Sequence, residues 1–173
     1  MDYRVQLLRP LSKRYIDQMV ENIILCPLDF PVLFQLLFDE DEKVAWRAAW
    51  ACSKISEQKP DLFTQQQIDE IVILSLSTLY GGVRRGCLSM LFYLPLPNPI
   101  PVELINCSFD WMVSPKSPIA VQAYAMKILY RICLQEPDLK LELIAFLETI
   151  DYQSYSAGFN STRKNILKSL NKC

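Results

Sequence analysis

Val44–Ile55 reads VAWRAAWACSKI, Val83–Leu94 reads VRRGCLSMLFYL, and Val121–Ile132 reads VQAYAMKILYRI. The three openings are 39 (83 − 44) and 38 (121 − 83) residues apart. The first and third copies also share an ending, Pro60-Asp61-Leu62 and Pro137-Asp138-Leu139, 77 residues apart. At that same offset Ala48 pairs with Ala125, Lys54 with Arg131, Ile55 with Ile132 and Gln58 with Gln135. A self-similar period of this length marks a solenoid, in which each unit buries its apolar face only by stacking on the next.

The flanking sequence is helical in character. Only four glycines occur, and no alternation of apolar and polar residues lasts long enough for a strand. Nine helices are expected: about 13–26, 31–38, 43–58, 64–80, 83–94, 102–113, 118–135, 139–150 and 159–171. Ser12 is placed to cap the first. The acidic run Asp39-Glu40-Asp41-Glu42 sits where the positive end of the third helix favours negative charge. Thr64 and Gln67 fit a capping box, Gly81-Gly82 a turn, and Ser117-Pro118 an N-cap followed by a first-turn proline. The segment Pro95–Pro101, PLPNPIP, has four prolines in seven residues and reads as an extended connector. Paired off, the helices make a single domain: a capping segment 1–27, then hairpins 28–59, 60–95, 102–136 and 137–171.

Leu36–Ile55 resembles the HEAT-repeat pattern. A leucine pair, Leu36-Leu37, closes one helix, Asp39 occupies the turn, and Val44 follows five residues later. Ala48 and Ile55 fill the small and apolar positions of the second helix. The pattern usually has arginine directly after the valine; Arg84 complies, whereas Ala45 and Gln122 do not. The resemblance implies an all-α, right-handed superhelix of about four hairpins with an N-terminal capping helix. It also implies a concave face, lined by the second helix of each hairpin, as the contact surface.

Helical spacing then selects candidates for that face. Val44, Ala48, Ala51 and Ile55 form the inward stripe, so Trp46, Trp50 and Ser53 lie opposite. Stepping by one repeat gives Arg85, Ser89 and Phe92, then Ala123, Lys127 and Tyr130, then Ser161, Asn165 and Lys168. The expected partner-binding residues are Trp46, Trp50, Arg85, Phe92, Lys127 and Tyr130, with Lys168 at the end of the column. Tryptophan and arginine are the types that dominate binding hot spots. Packing of both indoles against neighbouring helices is the competing account.

Composition narrows the chemistry. The sequence has no histidine, so it holds no Ser-His-Asp or Cys-His arrangement and no imidazole ligand for a metal. Its six cysteines form no Cys-x-x-Cys pair and read as buried free thiols of a reducing, cytoplasmic compartment. The 18 basic and 19 acidic residues leave a net charge near −1, without a global field toward nucleic acid or membrane. The expected function is a non-catalytic scaffold that binds another protein, with no cofactor and no small-molecule substrate. The alternative is a nucleic-acid-binding module similar to the helical-repeat DNA alkylation-repair glycosylases. It would draw on Trp46, Trp50, Arg85 and the Asp110-Trp111 pair, with Arg84, Arg163, Lys164, Lys168 and Lys172 on phosphates.

Overall fold

The computed structural model describes residues 2–10 and 12–172. Among them are ten α-helices, four short 3-10 turns and no strand. They fall into two compact units, Met1–Pro95 and Leu96–Cys173.

The first unit contains α1 (Tyr3–Leu8), α2 (Lys13–Leu25), α3 (Phe30–Gln35), α4 (Glu42–Gln58), α5 (Gln65–Ser77) and α6 (Gly81–Tyr93). Helix α4 is its centre, packed against α1, α2, α3 and α6, while α5 pairs with α6. The register valines Val44 and Val83 are fully buried, as are Ala48, Ala51 and Ile55. Phe30, Phe34 and Phe63 join edge to face beside them, with Phe30 and Phe63 centroids 4.7 Å apart.

Local chemistry explains the boundaries. Asp41 accepts the Lys43 N–H at 2.9 Å, and Asp39 accepts the Asp41 N–H at 2.9 Å, so two members of the acidic run cap α4. Thr64 and Gln67 form both halves of the capping box that starts α5. The expected second helix is not one element. Pro27 opens a 3-10 turn, Pro31 occupies the first turn of α3, and Leu36–Phe38 tightens again to 3-10.

Two further departures have physical causes. Helix α1 lies outside the nine expected helices, because six residues give too short a window for periodicity. It is held by tertiary contacts: Tyr3 Oη donates to Asp29 at 2.7 Å, Arg4 Nε pairs with Asp39 at 2.7 Å, and buried Arg47 donates to the carbonyls of Leu7 and Arg9 at its end. Gly81-Gly82 is not the turn either. No glycine described has positive φ, the turn is Thr78-Leu79-Tyr80, and both glycines are helical. The reason for Gly82 and Gly86 is space. A Cβ on Gly86 would lie 2.5 Å from Ala49 Cβ, so α4 and α6 pack tightly there.

The second unit contains α7 (Val102–Val113), α8 (Ile119–Gln135), α9 (Leu139–Thr149) and α10 (Ala157–Leu170). Helix α8 is central, against α7, α9 and α10; Val121 is buried, and so is Phe159, which lies 38 residues (159 − 121) further on and continues the register. The connector 95–101 is non-helical as expected, yet Leu96, Pro97 and Ile100 are buried, so it is not displayed as a polyproline ligand. Ser117 does not cap α8; Pro118 occupies the N-cap position with no side-chain hydrogen bond.

At three of the four register positions the next residue does the same job. Arg84 donates to Ser75 O at 3.0 Å and to Thr78 O, Gln122 to Ser114 O at 3.0 Å, and Asn160 to Tyr152 O at 2.9 Å. Each satisfies carbonyls that close the preceding segment of chain. Gln122, which departs from the family pattern as a residue type, keeps its role: a side-chain amide can donate where a guanidinium otherwise would. Ala45 has no donor, and the first repeat lacks this tie.

Tyr3 makes the docking of α1 pH-dependent. Burial, then the bond to Asp29, pushes its hydroxyl from 10.0 up to about 12. A raised folded value means stability fully present below pH 10 and lost as pH rises through 12. In urea melts, wild type is expected to lose stability across that window more steeply than Tyr3→Phe. Parallel profiles would remove this account.

Candidate functional site

The expected face is divided between the two units. Trp46 and Trp50 on α4, with Arg85 and Phe92 on α6, lie in the first, where α4 and α6 pack together. Lys127 and Tyr130 on α8 lie in the second, as does Lys168 on α10.

In the first unit all four residues are half-buried. The two indoles are one helical turn apart and stack on each other, centroids 6.2 Å apart and planes inclined by 21°. Trp46 also leans on α6. A Cβ on Gly82 would come within 2.5 Å of Trp46 Cδ1, so the missing side chain is the indole's seat. Asp41, Glu42, Lys43, Trp46 and Gly82 line an open cleft at the start of α4 and α6. At the other end of the pair, Phe92 meets Tyr93 edge to face at 5.1 Å, and Tyr93 Oη donates to Glu57 at 3.2 Å. Ser89, on the same projected face, is buried. Each ring packs on a neighbour and keeps part of its surface in solvent.

In the second unit Lys127 and Tyr130 are half-buried. Lys127 Nζ sits 4.8 Å from the Tyr124 ring centroid, a cation–π contact one turn back on the same helix. Lys168 is exposed.

The cysteines offer little nucleophilic chemistry. Cys52 and Cys87 are fully buried, and burial drives both thiols up, Cys87 to about 12. Burial raises Cys133 to about 11. At neutral pH these stay protonated and inert. Cys26 is exposed and Cys107 only half-buried, a correction to the expectation of burial throughout; Cys173 lies outside the described residues. Arg4 holds the Asp39 carboxyl below its ordinary range, which keeps that turn charged.

Of the residues named for phosphate contact, Arg84 is committed to carbonyls at the end of α5. Arg163 donates to Leu147 O and lies over the Tyr152 ring. Asp110 is exposed and Trp111 half-buried on α7, in the other unit from Trp46, Trp50 and Arg85.

Sequence reasoning missed Gly82 and the cleft beside it, because a glycine before a helix reads as a turn. Gly82→Ala is expected to push the Trp46 indole off its seat. The exciton signal of the stacked pair in circular dichroism should collapse, while melting changes by no more than about 1 kcal/mol. An unchanged exciton signal would place the indole elsewhere.

Against known families, the HEAT repeat domain matches residues 3–170. No curated protein and no solved structure matches the chain.

Proposed function

Because this chain belongs to the HEAT repeat domain family, whose repeats generally mediate protein–protein interaction, we propose that it is a non-catalytic scaffold or adaptor. Its partner is a protein, engaged on the α4–α6 surface through Trp46, Trp50, Arg85 and Phe92, with Lys127 and Tyr130 as the equivalent α8 positions. The observation that carries this reading is the stacked indole pair. A chain that buries Phe30, Phe34 and Phe63 leaves two tryptophans partly in solvent, held still by each other and by Gly82. Aromatic rings ordered before binding lose little entropy on contact, which favours affinity. The buried, protonated thiols of Cys52 and Cys87 suit a reducing, cytoplasmic compartment.

The test is affinity capture from host lysate, with and without nuclease, using wild type and Trp46→Ala/Trp50→Ala. Proteins retained after nuclease and lost with the variant, whose melting is checked in parallel, support the scaffold. A nuclease-sensitive set that the variant retains would transfer the reading to nucleic acid.

A further inference from the structure

After Asp151 the chain carries Arg163, Lys164, Lys168 and Lys172 and not one acidic residue. Arg163 is turned inward to Leu147 O and the Tyr152 ring. The other three are exposed: Lys164 and Lys168 stand one turn, about 6 Å, apart on one face of α10, and Lys172 follows four residues later in the turn just past its end. That face is opposite the buried stripe Phe159, Ile166 and Leu170. Exposed Ser161 and Asn165 flank Lys164 on the same side of the helix and add hydrogen-bonding groups. The negative end of the helix accounts for Lys168 in the last turn, but not for Lys164, one turn earlier.

We infer that this face of α10 docks an acidic helical segment of a partner protein, with Asp or Glu at every fourth position. The match is geometric and electrostatic. Carboxylates four apart on a facing helix repeat at the same interval of about 6 Å, and each meets a lysine. A nucleic acid fits less well, since the face has no aromatic ring on which a base could stack. A membrane fits less well too, because α10 presents no exposed large apolar side chain for insertion. The inference is separate from the tryptophan surface, which belongs to the other unit.

The probe is a fluorescein-labelled, alanine-based helical peptide with glutamate at every fourth residue, followed by anisotropy. A control peptide has the same composition with the glutamates dispersed around the helix. The patterned peptide should bind at low salt, weaken as salt screens the pairs, and lose about tenfold in affinity with Lys164→Gln/Lys168→Gln/Lys172→Gln. Trp46→Ala/Trp50→Ala should leave that binding unchanged, so failure here and failure of the tryptophan surface are read separately. Equal binding of both peptides, or of wild type and the triple variant, overturns the inference. So does tighter binding of an oligothymidylate or of phosphatidylserine vesicles through the same three lysines. All three positions are exposed, so the triple variant is expected to melt like wild type.

Discussion

Ala48→Asp leaves no cooperative melting transition for the first unit. Ala48 has no exposed surface and lies in the middle of α4, the helix on which the rest of that unit packs. A carboxylate there has no cation within its own stripe, which continues as Val44, Ala51 and Ile55. An unpaired buried charge costs several kcal/mol, and taking up a proton reduces that cost without removing it. A native domain has only about 5–15 kcal/mol in total. Ala48→Ser, which adds a hydroxyl able to reach the carbonyl four residues back, should melt within about 2 kcal/mol of wild type. Circular dichroism melts of the two variants decide the matter. Wild-type melting of Ala48→Asp would mean that α4 turns a different face to its neighbours.

Gly86→Ala is the second large effect, and its sign opposes helix propensity. Alanine in place of glycine within a helix is ordinarily worth about 1 kcal/mol of added stability. Here the new Cβ would lie 2.5 Å from Ala49 Cβ and 3.2 Å from the Ala49 carbonyl carbon and oxygen. Backbone cannot swing aside as a side chain can, so α4 and α6 must separate, at about 1–3 kcal/mol of lost packing. Gly86→Val should cost more. The diagnostic is Ala49→Gly in the Gly86→Ala background: it removes the shortest contact, so the pair should recover stability that neither change gives alone. Additive effects in chemical denaturation would show that the two residues do not meet.

Much of the architecture was legible because repetition amplifies weak signals. Val44, Val83 and Val121 stood out only as a series, and all are buried with Phe159 in the same register. The capping box at Thr64 and Gln67 was legible because both partners lie within one turn, where sequence spacing and spatial distance coincide. The tie made by Arg84, Gln122 and Asn160 was not. It depends on reach to a carbonyl rather than on residue type, so Gln122 looked like a departure while doing the same work. Helix α1 was missed for a related reason, since Asp29, Asp39 and Arg47 hold it from 26 to 40 residues away.

The candidate surface shows the same division. Helical projection brought Trp46 and Trp50 to one face, and a four-residue spacing put the rings within reach of each other. Whether those rings were wet or dry, and why Gly82 stands opposite them, depended on how closely α6 approaches α4. The repeat period, helix order, inward stripes and absence of imidazole chemistry are properties of the chain itself, because each rests on local spacing or on composition. The seat of Trp46 and the inward turn of Arg84 and Arg163 were decided by tertiary structure. Each depends on which atoms of distant segments arrive within a few ångströms, and no spacing along a single helix carries that information.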